Sequence, residues 1–143
     1  MTFLLDANVL IALIDPAHVQ HDTAHEWFAQ RGNQNWATCP LTENAVLRIV
    51  GHARYPNSPG TPMAVAPLLA SICALPGHVF WPDDISLLDA RKINLAHLLT
   101  PGQVTDSYLL ALARTNGGQL ATFDCRLSTS AVSDGAKSLY LIG

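Results

Sequence analysis

Short, wholly apolar runs alternate along this chain with longer stretches in which apolar residues return every three or four positions. Residues 2–5 read as a short strand, apolar on both faces, and residues 7–14 continue at helical spacing. Asp15-Pro16 ends that helix, because a residue before proline avoids the α region. A second helix is predicted over roughly 18–31, with Ala24, Trp27 and Phe28 on one face and Gly32 closing it. Thr23 and Glu26 fit a capping box that would start it later. Asn35-Trp36-Ala37-Thr38 is a weaker strand, stopped at Cys39-Pro40. Thr42 is expected to cap a helix over roughly 43–54, with Ala45, Val46, Ile49, Val50 and Ala53 as its apolar face.

Beyond the loop "YPNSPGTP", Met63 to Leu75 reads as an apolar helix and "HVFWP" as a strand ended by Pro82. Residues 84–98 are expected to be helical, irregular near Ile93-Asn94, with Asp83, Asp84 and Asp89 as caps around the start. After "TPGQ", Thr105 is expected to cap the helix "DSYLLALARTN", which Gly117-Gly118 ends. "QLATF" and "SLYLI" are the last strands. Strands alternating with helices, and apolar on both faces, predict an α/β fold of three layers: a central, mainly parallel sheet flanked by helices. Without a repeat or a linker, residues 1–143 read as one domain.

Composition narrows the function classes. The chain is 49% hydrophobic and only 13% charged, which is a globular balance, and its net charge of −3 gives no basic footprint for nucleic acid. No apolar run approaches the roughly 20 residues that span a bilayer, and no basic leader precedes an apolar stretch, so a cytoplasmic protein is expected. Cys39, Cys73 and Cys125 are far apart and form no CxxC pair. That argues against a disulfide framework and structural zinc, and predicts small core residues. His21 and His25, four apart without the glutamate of HExxH, read as a solvated helix face.

The acids change the picture. Asp6 interrupts an otherwise apolar segment, and a lone buried carboxylate is costly unless paired, hydrogen-bonded or bound to metal. Asp6 follows the first strand and Asp124 follows "QLATF", so both belong to the carboxyl edge, where open parallel sheets bind ligands. Glu43 and Asp106 each follow a threonine at a helix start, and such starts face the same edge. Singly, each acid reads as a cap, a turn residue or a helix-dipole stabiliser worth about 0.3–1 kcal/mol. Four at equivalent positions point to a hard divalent cation, Mg²⁺ with Mn²⁺ as a substitute.

These residues resemble a known family. "LLDANVLIAL", "LTENAVLRIV", "VTDSYLLALA" and "LATFDCRL" are similar, in order and spacing, to the motifs of PIN domains, above all the VapC-type toxins of bacterial toxin–antitoxin pairs. The resemblance spans nearly the whole chain. It implies a metal-dependent endoribonuclease with Asp6, Glu43, Asp106 and Asp124 as metal ligands and catalytic acids. Asn8 matches the polar residue after the first Asp, and Thr105 or Thr122 would support the site from behind. It further implies a homodimer and a VapB-like antitoxin whose C-terminal arm covers the groove.

The expected chemistry is in-line hydrolysis of RNA by metal-activated water, leaving 5′-phosphate and 3′-hydroxyl ends. Arg48 and Arg126 are candidate phosphate contacts, and an unpaired tRNA or rRNA loop is the expected substrate. A haloacid-dehalogenase-like phosphotransferase would need an Asp where Asn8 stands, and no GxGxxG follows the first strand for a dinucleotide. An RNA-binding PIN-like module without turnover is the non-enzymatic alternative.

Overall fold

The computed structural model describes residues 1–143. Strands β1 (Phe3–Leu5), β2 (Trp36–Thr38), β3 (His78–Phe80), β4 (Gln119–Thr122) and β5 (Leu139–Leu141) form one sheet in the order β3-β2-β1-β4-β5, and every pairing is parallel. The helices are α1 (Ala7–Ile14), α2 (His21–Gln30), α3 (Pro40–Val50), α4 (Pro62–Cys73) and α5 (Gln103–Thr115). The two-residue period of the strands divides the core. Phe3, Leu5, Trp36 and Ala121 pack with α1 to α4 on one face, while Leu4, Ala37 and Leu120 pack with α5 and Ile93 on the other. The predicted three-layer α/β architecture is therefore what the chain adopts. No helix is long and apolar enough to cross a membrane.

Several local expectations are overturned. The third helix starts at Pro40, which suits a first helical position because it lacks an N–H that would be unpaired there. Thr42 is thus not the cap; it sits in the first turn, where its hydroxyl accepts the Cys39 N–H at 3.1 Å. Likewise α5 starts at Gln103, so Thr105 lies inside the first turn and caps nothing. The second helix starts at His21 after Gln20, without a side-chain cap, rather than at 18 or at Thr23.

Residues 84–98 are not a helix but turns and a 3₁₀ turn at Leu95–His97. The side chains of Ser86, Asp89 and Asn94 accept the backbone N–H two residues on, at 3.0, 3.0 and 3.1 Å. These local bonds compete with the helix, so Asp89 makes a turn rather than a helix cap.

His21 and His25 are not simply solvated. They donate to the carbonyls of Ala12 and Leu13 at 2.7 and 2.8 Å, and so satisfy the open C-terminus of α1. Of the cysteines only Cys39 is a core residue; Cys73 is half-buried and Cys125 exposed. Asp15 is buried and accepts hydrogen bonds from Tyr55, Ala17 and Asn57. Beyond α5, Gly117 takes the left-handed φ of 72° and Gly118 lies flat against the Thr2 carbonyl, where a Cβ would come within 2.2 Å.

Candidate active site

The chain leaves β1 towards β2 on one side and returns through β4 on the other, so the order reverses between β1 and β4. In open α/β sheets that reversal opens a crevice at the carboxyl ends of the strands. Asp6 stands at the end of β1. Its Oδ1 accepts the Ala7 N–H at 2.8 Å and caps α1; its Oδ2 accepts the Thr122 hydroxyl of β4 at 2.8 Å. Asp6 is both a cap and a member of a cross-strand network.

Thr122 is the centre of that network. Fully buried, its Oγ1 also accepts from Asn8 Nδ2 at 3.0 Å and from the Asp124 N–H at 3.1 Å. Asn8 in turn accepts the Phe123 N–H through Oδ1 at 3.3 Å. One hydroxyl thus fixes the first acid, its polar neighbour and the backbone of the last acid. Asp124 turns its Oδ1 onto the Arg126 N–H at 2.9 Å.

Asp106 comes from the first turn of α5 and makes no side-chain hydrogen bond. Burial, then the charges of Asp6 and Asp124, push its carboxyl up to about 6. Asp6 is also raised, by burial foremost and in part by Asp124, against the lowering effect of Thr122 and Ala7. No cation relieves the cluster: the side-chain ion pairs are Arg91–Asp89 and Arg114–Asp134, at 3.1 and 3.3 Å. Three oxygen-donor side chains with no cation among them suit a divalent cation.

Glu43 stands apart from this trio. Its charge acts on His78 and Cys73, and it is not among the charges that raise Asp6 or Asp106. Its Oε2 accepts the Thr38 hydroxyl at 2.7 Å, and the same hydroxyl lies 2.7 Å from His78 Nε2. A hydroxyl has one proton, so when Thr38 donates to Glu43 the imidazole must donate to Thr38. Glu43 is held by a relay from β3 through β2.

Sequence reasoning missed Thr38 and His78. Thr38 ends β2 as Thr122 ends β4, so the last strand residue before a site acid was a usable signal. Of the other candidates, Thr105 is exposed without a hydrogen bond, and Arg48 and Arg126 are exposed cations. Arg48 follows Glu43 by five positions, which turns it about 140° around α3 and about 7.5 Å further along it.

Comparison with known proteins matches residues 3–131 to the PIN domain family model. Ribonuclease VapC44 of Mycobacterium tuberculosis is 40% identical over 140 residues, 96% of each chain. Ribonuclease VapC39 of the same organism is 43% identical over 131 residues, 92% of this chain and 94% of that one. Among solved structures, M. tuberculosis VapC20, described as a sarcin–ricin loop cleaving toxin, superposes with a TM-score of 0.64. It is 17% identical and covers 92% of this chain and 97% of its own. At that identity the likeness is one of fold.

Proposed function

Because this chain belongs to the PIN domain family, and within it to the VapC ribonucleases, we propose that it is a metal-dependent endoribonuclease acting as the toxin of a toxin–antitoxin pair. The observation that carries this reading is the setting of Asp6 and Asp124 at the strand-order reversal, tied together through the buried Thr122 hydroxyl, with Asp106 in the first turn of α5. Asp6 and Asp106 would hold the cation, and Asp124 would hold a second, weaker one. When bound, Mg²⁺ or Mn²⁺ supplies a Lewis acid that offsets phosphate charge and makes water a competent nucleophile near neutral pH.

The chain's own residues set the geometry. Thr122 locks the Asp6 carboxylate and the Asn8 amide in one orientation, so a ligand set is preorganised before RNA arrives. Glu43 keeps Oε2 on Thr38, and its other oxygen would orient the attacking water. In-line attack then needs no covalent enzyme intermediate. Arg126, two residues from Asp124, would meet a phosphate, and Arg48 would act only at the rim.

Identity to the VapC ribonucleases supports RNA as substrate, with an unpaired loop of tRNA or rRNA as the expected target. A VapB-like antitoxin is supported by an apolar groove of about 380 Å³ lined by Leu13, Ile14, Phe28, Leu68, Ile72 and Leu75, which suits an amphipathic helix. A homodimer is the assembly that the family resemblance implies. The test is cleavage of total RNA by purified, antitoxin-free protein, with the ends mapped. Activity is expected with Mg²⁺ or Mn²⁺ and not with EDTA or with Asp6→Asn. Undiminished cleavage in EDTA would overturn the metal mechanism, and binding without cutting would favour the RNA-binding alternative.

A further inference from the structure

Glu43 has a second set of neighbours, chemically unlike the aspartates. Cys73 is the last residue of α4, His78 opens β3, and Glu43 lies in the first turn of α3. One ligand atom of each lies within 4.8 Å of the others, and all three residues are half-buried and open to solvent on one side. Thr38 stands among them, bonded to both Glu43 and His78. A thiolate, an imidazole and a carboxylate form a borderline-soft donor set that Mg²⁺ avoids and Zn²⁺ favours. Three protein ligands with a fourth position open is also a common zinc arrangement.

We propose that Glu43, Cys73 and His78 form a site for Zn²⁺ or a similar borderline cation, whose occupancy takes the Glu43 carboxylate from the part in cleavage proposed for it above and so inhibits the reaction. The site stands on the side-chain geometry alone; its inhibitory consequence rests on the nuclease reading above.

The geometry needs only small movements. Tetrahedral ligands about 2.0–2.3 Å from zinc lie about 3.3–3.8 Å apart, so the present group has to close by about 1 Å. Glu43 Oε2 and His78 Nε2 already meet at one point, the Thr38 hydroxyl. A cation held beside that hydroxyl would take both atoms and replace the Thr38 bond to each. The imidazole proton moves to Nδ1, and the thiol proton leaves to solvent as the S–Zn bond forms. The residues come from three elements around the β2–β3 end of the sheet, so the site exists only in the folded chain. Glu43 with its carboxylate on zinc loses the orientation that Thr38 gave it.

The probe is Co²⁺, which reports a thiolate ligand by a charge-transfer band in the near ultraviolet. The purified, antitoxin-free chain is titrated with Co²⁺ and then with Zn²⁺ to displace it. The parent and Cys125→Ser are expected to show the band at one equivalent, and Cys73→Ser to lack it; His78→Gln is expected to weaken Co²⁺ binding about tenfold or more. In cleavage assays with excess Mg²⁺, one equivalent of Zn²⁺ is expected to slow the parent about tenfold and leave Cys73→Ser nearly unaffected. A parent without the band, or a band that survives in Cys73→Ser, overturns the site. Equal zinc inhibition of parent and Cys73→Ser, or none in either, overturns the link to Glu43. Should no variant cut RNA in Mg²⁺, the nuclease reading fails while the cobalt spectra still decide the site.

Discussion

Replacing Asp106 by Asn removes one charge from the trio and keeps the shape of the side chain. In the folded chain without metal, burial and the charges of Asp6 and Asp124 hold the Asp106 carboxyl near 6, against 3.8 for the ordinary group. That gap corresponds to about 3 kcal/mol, and solvent screening of a half-exposed group brings the expectation to about 1–2 kcal/mol. The sign follows from proton binding. Between about pH 4 and pH 6 the folded protein keeps a proton that the unfolded chain has lost, so stability falls as pH rises through that window. Above it, the parent carries the full penalty and Asp106→Asn does not. Urea unfolding in EDTA should therefore show the variant more stable by about 1–2 kcal/mol at pH 7.5, near 3 °C in Tm per kcal/mol, and equal to the parent near pH 4. Excess Mn²⁺ should reverse the order, raising the parent by about 2.7 kcal/mol at a hundred times Kd and the variant by much less. An Asp106→Asn protein that is less stable than the parent in EDTA at pH 7.5, or that gains as much from Mn²⁺, refutes the charge-cluster account.

Thr122→Val removes the hydroxyl shared by Asp6, Asn8 and Asp124; cleavage is expected to drop about 10–100-fold, measured against Thr122→Ser, which keeps the hydroxyl and should keep most activity. Tyr55→Phe takes a donor from buried Asp15 and should cost about 1–3 kcal/mol in urea unfolding at pH 7. Burial raises the Asp15 carboxyl, but the Tyr55, Ala17, His18 and Asn57 contacts hold it below the ordinary value. Its stabilising contribution is thus present above about pH 4 and shrinks below it, and the Tyr55→Phe penalty should shrink in parallel. Gly118→Ala drives a Cβ to within 2.2 Å of the Thr2 carbonyl and should destabilise the fold by more than about 2 kcal/mol, read from its thermal midpoint.

How much of this was legible depends on how local the determining physics is. The strands β1 and β4 and the parallel α/β class follow from apolar runs and their spacing, and the positions of Asp6 and Asp124 follow from those runs. The helix starts were misplaced because Thr42 and Thr105 resemble caps, whereas Pro40 and Gln103 begin the helices three residues earlier than expected. Residues 84–98 failed for a different reason: apolar spacing there serves burial of Ile93 against the α5 side, while Ser86, Asp89 and Asn94 claim the backbone N–H groups. The Thr38–His78 relay joins residues 40 apart in sequence, and the histidine pair on α2 joins side chains to carbonyls of α1. A separation of 40 exceeds any periodicity window, and the histidine contacts, 9 and 12 residues long, depend on how α2 folds back on α1, which spacing does not encode.

The bond between Asp6 and Thr122 closes a separation of 116 residues, and the Asp6 N–H meets the Ala121 carbonyl at 3.0 Å beside it. Such distant pairings come late in folding, since the entropy of closing a long loop must be met before they return anything. A partly folded chain, with α1 and α2 packed on β1 and β2 but β4 still outside, would carry Asp6 with neither Thr122 nor Asp124 beside it. The centre is therefore absent from every intermediate that lacks β4, and local opening of β4 dismantles it at once. For a protein whose reaction damages RNA, that topology acts as a conformational safety catch: the capacity to cut arrives only once β4 has joined β1, and leaves when the two part.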